Sequence, residues 1–101
     1  MLGGHLQLLA SKAVKEKIEG FHNVSFVEVE DAFFLHRGKE IEDARAQHKT
    51  NPPTTWFISE TFDGRLLKVV IINYFDDEVA VLRTAYEPSE FEVRLYDSKQ
   101  K

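Results

Sequence analysis

Cationic side chains interrupt the apolar rows of two neighbouring strands that the second half of the chain predicts. Strand residues alternate between the two faces of a sheet, so Lys68 falls in the row of Val70, and Arg83 falls on the face opposite Tyr86. A third cation, Arg65, stands at the mouth of the preceding hairpin. Arginine binds phosphate in a bidentate manner and lysine binds it as a point charge. The three cations therefore indicate an anion site on one face or edge of a small sheet.

Each of these residues also has a simpler interpretation. A long cationic side chain at the rim of a sheet packs its stem and leaves its charged head in water. His48 is the candidate acid or base, because histidine alone titrates near neutral pH without perturbation, but it also fits a solvated surface histidine. Trp56 is more typical of a residue that packs in the core or at the rim than of a platform on which a base stacks. The histidines lack a pair at i,i+4 and an accompanying carboxylate ligand motif, so no metal site is expected.

Helices are expected at both ends of the chain. Apolar residues recur at helical spacing from about 6 to 18, and Gly20 is a plausible C-terminal stop. Ser25 followed by Glu28 is a capping-box signature that opens a second helix. Pro88 stands where the first turn of a short C-terminal helix accepts a proline.

Three strands are expected between these helices. They run over Thr54–Phe62, Arg65–Phe75 and Val79–Tyr86, and Asp63-Gly64 closes the first pair as a hairpin. The polar stretch from 36 to 53 is mainly loop, with room for a short strand or turn. The sequence thus predicts an α+β fold, in which an antiparallel β-meander packs against two N-terminal helices and a short C-terminal helix.

Composition limits what the chain can be. Its 101 residues, 43% of them hydrophobic, fit one domain over residues 1–101. It has no cysteine, which favours a reducing cytoplasm. Its longest fully apolar stretches, such as Val69 to Ile72, are far below the ~20 residues of a membrane span, so neither a membrane location nor a targeting segment is expected. With a net charge of -4, any RNA-binding role must depend on a local patch, because Lys and Arg supply non-specific affinity for nucleic acid.

Four short motifs carry a family resemblance. They are His22-Asn23-Val24-Ser25-Phe26 with Glu28; Asp43 with Arg45 and His48; Thr61-x-x-Gly64-Arg65-Leu66-Leu67 with Val69-Val70; and Thr84-Ala85 with Glu92 and Tyr96. Over about residues 21 to 96 the chain resembles the BrnT-type ribonuclease toxins of bacterial type II toxin–antitoxin modules, which have a compact fold related to RelE.

The resemblance implies an activity, a partner and a set of site residues. The implied activity is a metal-independent endoribonuclease, without a cofactor, in which the 2′-hydroxyl of the RNA attacks the adjacent phosphate. A cognate antitoxin is the implied partner, and RNA binding and homodimerisation are both compatible with this activity. For this activity the candidate catalytic residues are His48, Arg65, Arg83 and Tyr86, of which Tyr86 would replace an arginine of the family by stacking on a base or donating a proton. The candidate substrate-binding residues are Arg45 and Lys68.

Two other functions compete with the toxin. Phe21, Glu60 and Tyr86 stand where the family carries cations, which favours a non-catalytic interaction protein that retains the toxin fold. Similar sequences are sometimes labelled ADP-ribosyl-dinitrogen-reductase hydrolase. Those hydrolases are large helical proteins with metal-binding acidic motifs, and 101 residues without such motifs do not make that enzyme in its usual form.

Overall fold

The structure of the protein, a computed structural model, describes residues 6–43 and 50–100. Within these residues the elements in chain order are β1 (Gln7–Leu9), α1 (Lys12–His22), α2 (Phe26–Leu35), β2 (Ile41–Glu42), β3 (Thr54–Glu60), β4 (Leu66–Tyr74), a 3-10 turn (Phe75–Asp77), β5 (Val79–Tyr86) and α3 (Glu90–Lys99). The strands form one mixed sheet in the order β1-β5-β4-β3-β2. The predicted α+β class is confirmed.

Serine residues cap the N-termini of all three helices that the structure describes. Ser25 and Glu28 form the predicted capping box of α2, and Ser89 caps α3 one residue after Pro88, so this proline precedes the helix instead of occupying its first turn. Gly20 lies inside α1, and Asn23, in the left-handed conformation with φ 53°, ends that helix. The prediction of Gly20 as the stop was wrong, because asparagine also adopts this conformation. None of these helices has the length and apolar character needed to cross a membrane.

The predicted meander is confirmed for β3, β4 and β5, which pair antiparallel in sequence order. The first hairpin has a three-residue turn, Phe62-Asp63-Gly64, and not a two-residue Asp-Gly turn. Gly64 donates its backbone N–H to the carbonyl of Thr61 at 3.0 Å, and Thr61 in turn donates to the carbonyl of Arg65 at 2.9 Å. Gly64 has a φ of 86°, which glycine adopts without steric cost. Phe62 therefore belongs to the turn and not to β3.

Two edge strands extend the meander into a mixed sheet. β1 pairs parallel with β5, and β2 pairs antiparallel with β3. The start of the predicted first helix is thus a strand, and the expectation of a purely antiparallel sheet was incomplete. Leu6, Leu8 and Ala10 pack against the core with the two-residue period of a strand, and the helix begins only after its cap, Ser11.

Helices cover both faces of the sheet. Phe57 of β3 is fully buried and contacts the ring of Phe33 on α2, with centroids 6.3 Å apart. Its neighbour Trp56 points to the opposite face and contacts the ring of Tyr96 on α3, with centroids 5.7 Å apart. α1 and α2 therefore lie on one face, over the main core, and α3 lies on the other.

A β-bulge at Arg83 changes which residues of β5 share a face. Val70 pairs with Thr84, whereas the next residue of β4, Ile71, pairs with Leu82, so Arg83 is the extra residue of β5. Because Lys68 pairs with Tyr86, the side chains of Tyr86 and Thr84 lie on the face of Lys68. The unbroken alternation expected for this strand was wrong at Arg83, because alternation restarts after a bulge.

Candidate functional site

A groove of about 900 Å³ lies on the α3 side of the sheet. Four cations are among its lining residues: Lys17, Lys68, Arg83 and Lys99. Trp56, Tyr86 and Phe91 supply aromatic surface. Three carboxylates, those of Glu42, Asp43 and Glu92, line it as well, and Phe91 is the exposed ring among the three aromatic residues. A surface that combines cations with aromatic rings is suited to an anionic, aromatic ligand such as a nucleotide. We refer to this surface as the groove.

A buried ion pair lies on the sheet side of the groove. Lys68 Nζ lies 2.8 Å from Glu92 Oε2, and Tyr86 donates its hydroxyl to the same oxygen at 3.2 Å. Lys68 is only 9% exposed, and its ammonium lies 4.5 Å from the centroid of the Trp56 ring, within the range of a cation–π contact. The rim interpretation is therefore wrong for Lys68, because β4 is the central strand of the sheet and the charged head does not extend into water.

Glu92 has a function that the sequence analysis did not assign to it. Burial alone would raise the pKa of its carboxyl, but hydrogen bonds from Lys68, from the backbone N–H of Ser89 and from Tyr86 hold the pKa below its ordinary value. Glu92 is thus a stable carboxylate that orients Lys68 and Tyr86. The sequence does contain a signal for this residue: Ser89 stands three residues before Glu92, which is a second capping-box pattern.

Arg83, like Lys17 and Lys99, is an exposed cation of the groove. Its side chain makes no ion pair with any residue that the structure describes, and it lines both the groove and a smaller hollow beside α1. Bulges re-aim side chains and are common beside functional sites. Arg83 can therefore bind an incoming anion without first breaking an ion pair to these residues.

Arg65 lies outside the groove and is bound to carboxylates. Its Nη1 lies 2.9 and 3.0 Å from the two oxygens of Glu28 and donates to the carbonyl of Asn23 at 2.9 Å, and its Nε lies 2.7 Å from Glu87. The backbone N–H of Ser25 and the Arg65 guanidinium hold the pKa of Glu28 below its ordinary value. Arg65 connects the start of α2 with the end of β5.

The structure therefore brings together three of the predicted site residues, Lys68, Arg83 and Tyr86, and does not bring Arg65 to them. Arg45 and His48 lie outside the described residues. Thr84, which pairs with Val70 beside them, also lines the groove. The interpretation of Trp56 as a packing residue agrees with its 7% exposure, although its ring also contacts the Lys68 ammonium.

Carboxylates and histidines do not cluster in the manner of a metal site within residues 6–43 and 50–100. Function has to be argued from the groove itself, since a fold hosts many activities and the site determines which one. Comparison with protein-family models, with curated proteins and with solved structures finds no match for this chain.

Proposed function

We propose that the chain is an endoribonuclease of the BrnT toxin type, with the corresponding RelE-related fold, and that its groove binds the backbone of single-stranded RNA. The single observation that carries the proposal is that an exposed arginine, a buried lysine and a tyrosine hydroxyl, Arg83, Lys68 and Tyr86, share one groove with aromatic surface. The overall charge of -4 does not oppose it, because the affinity for phosphate arises locally.

The proposed reaction needs only the RNA, a base and an acid. The 2′-oxygen bonds to phosphorus as its proton passes to the base, and the bond from phosphorus to the 5′-oxygen breaks as the acid protonates the leaving group. The products are a 2′,3′-cyclic phosphate and a 5′-hydroxyl. Positioned acid and base groups each contribute about 10² to 10⁴-fold, and stabilisation of the phosphorane charge contributes a comparable or larger factor.

Each residue has a definite role in this proposal. Arg83 binds the scissile phosphate. Lys68 has three ammonium donors, of which Glu92 takes one, and it supports the developing charge. Tyr86 turns its hydroxyl away from Glu92, to which it donates in the free protein, and donates it to the phosphate or the leaving oxygen. His48 is the acid or base. Arg65 acts indirectly, by positioning the end of β5 that carries Tyr86.

The test is cleavage of a labelled single-stranded RNA by the purified chain. The wild type is expected to release a 2′,3′-cyclic phosphate, detected by mass spectrometry, and to leave a 2′-deoxy substrate intact. Arg83→Ala and His48→Ala are each expected to lower the rate at least about 100-fold. Arg94→Ala is the matched control, because Arg94 is an exposed arginine of α3 outside the groove. Intact RNA, or unchanged rates in both variants, would refute the proposal.

A non-catalytic interaction protein is the second candidate, and a specific observation favours it. Two of the predicted cations, Arg65 and Lys68, are neutralised by Glu28, Glu87 and Glu92. The same assay separates the candidates, because this protein would fold and leave RNA intact. Cells that express it would also grow as well as cells that express a variant with His48→Ala and Arg65→Ala, whereas a toxin would inhibit growth only in its wild-type form. A neighbouring gene for a DNA-binding antitoxin would favour the toxin.

A further inference from the structure

Another hollow, distinct from the one beside α1, shares Tyr86 with the groove. Phe21 and His22 from the last turn of α1, Tyr86 from β5 and Glu87 after it line a volume of about 360 Å³. We refer to it as the Phe21 recess. Tyr86 lines both this recess and the groove, so the two hollows meet at its side chain.

Three aromatic rings surround the recess. The rings of His22 and Tyr86 have centroids 5.3 Å apart and planes inclined at 43°. Phe21 is 82% exposed. A single exposed apolar residue is ordinary, but Phe21 stands beside two further rings at the mouth of a concave surface. Unstacked bases of single-stranded RNA bind on such rings.

The carboxylate of Glu87 gives the recess a polar side with a fixed orientation. Arg65 Nε donates to Glu87 Oε2 at 2.7 Å, and Glu28 holds the same guanidinium from its other side. Glu87 Oε1 makes no hydrogen bond to any residue in the described part of the chain. An ionised carboxylate only accepts hydrogen bonds, so the recess offers an acceptor beside the rings. The Arg65 charge also offsets the repulsion between this carboxylate and RNA phosphates.

We propose that the Phe21 recess is a nucleobase subsite that prefers guanine; this inference rests on the proposed function. Guanine presents two adjacent donors, N1–H and the 2-amino group, on its Watson–Crick edge. Adenine and cytosine each present one donor beside an acceptor, and uracil presents one donor between two acceptors. A carboxylate that only accepts therefore pairs best with guanine, while Phe21 and Tyr86 stack on the ring. The enzyme would cleave next to a guanine.

The test is calorimetric binding of nucleoside 3′-monophosphates, which need no cleavage. Guanosine 3′-monophosphate is expected to bind about 10-fold more tightly than inosine 3′-monophosphate, which lacks only the 2-amino group, since one hydrogen bond to a charged acceptor is worth at least that factor. Phe21→Ala is expected to weaken binding of the guanine nucleotide about 10-fold through lost stacking. Phe75→Ala is the matched control, because Phe75 is 71% exposed and does not line the recess.

Glu87→Gln tests the acceptor directly. Arg65 Nε must keep an oxygen as its partner, so the amide oxygen faces Arg65 and the NH₂ group faces the recess. Two donors of guanine then meet a donor, and the preference for guanine over inosine is expected to disappear. Thermal unfolding of each variant verifies that it is folded, and if Glu87→Gln fails to fold, the inosine comparison on the wild type decides the matter.

The outcomes separate this inference from the proposed function. Equal affinity of the wild type for the guanine and inosine nucleotides, with binding still lost in Arg83→Ala, would refute the guanine subsite and leave the endoribonuclease. A guanine preference without RNA cleavage would support the subsite and refute the endoribonuclease. No binding of any of these nucleotides at millimolar concentration would overturn the subsite.

Discussion

At the scale of residues, the groove depends on one lysine in an unusual place. Lys68 lies in the central strand with 9% exposure, between the rings of Trp56 and Tyr86, and contacts the carboxylate of Glu92. An ion pair in this position is weak evidence for stability, because desolvation offsets much of the attraction. The anion-binding role proposed for the groove would give the lysine a function in this position.

Lys68→Met is expected to destabilise the fold by about 3 kcal/mol, because it leaves the Glu92 carboxylate partly buried without its cation. The double variant Lys68→Met with Glu92→Gln is expected to lose less stability than the two single variants lose together, by at least about 1 kcal/mol. Urea unfolding measures all three variants. Lys12→Met is the control, because Lys12 lies in an exposed pair with Glu16 and its loss is expected to leave stability unchanged. Additive effects at Lys68 and Glu92 would contradict the coupling.

At the scale of elements, the start of α3 and the groove share one carboxylate, that of Glu92. Glu92 Oε1 accepts the backbone N–H of Ser89 at 2.9 Å, while its other oxygen accepts from Lys68 and Tyr86. The same carboxylate therefore caps the helix and orders the groove. At the other end of α3, Gln100 bonds to the backbone N–H of Lys39 at 2.6 Å and connects the helix to the segment before β2.

Two glycines predict opposite effects of the same substitution. A Cβ at Gly38 would collide with the Tyr96 hydroxyl and lie 2.7 Å from Gln100 Oε1, so Gly38→Ala is expected to destabilise the fold by about 1–3 kcal/mol. A Cβ at Gly20 would meet nothing within 4 Å. Because Gly20 lies inside α1, where alanine is favoured over glycine, Gly20→Ala is expected to stabilise the fold by about 0.5–1 kcal/mol. Urea unfolding of both variants measures the sign of each change in the free energy of unfolding. Equal changes would contradict the close packing of Gly38 against the end of α3.

At the scale of the whole molecule, carboxylates join elements that are distant in the chain. Glu40 accepts hydrogen bonds from His36 and from Asn73 of β4, and these contacts, His36 first, hold its pKa below 4.5 against the opposing effect of burial. The pKa values of Glu28 and Glu92 are lowered as well. A carboxyl with a lower pKa in the folded state contributes stability above its unfolded pKa and loses it as pH falls through the folded pKa.

The free energy of unfolding is therefore expected to decrease as pH falls below 4.5, the ordinary value for these carboxyls. Glu40→Gln is expected to be less stable than the wild type at pH 7, and the difference is expected to narrow in acid because the variant has no such proton to bind. Urea unfolding across this pH range measures both. Glu30→Gln, on the exposed side of α2, is the control. A difference that stays constant with pH would contradict the role of Glu40.

The sequence alone specified the features that depend on residues close together in the chain. The capping box at Ser25, the three antiparallel strands and the turn at Gly64 all follow from residues a few positions apart. Tertiary structure decided the rest: the pairing of β1 with β5, the bulge at Arg83, and the acids that bind Arg65 and Lys68. Glu28 lies 37 residues from Arg65, and Glu92 lies 24 from Lys68. No local pattern specifies such partners, because which charges meet depends on how the sheet is assembled and on where each helix packs against it.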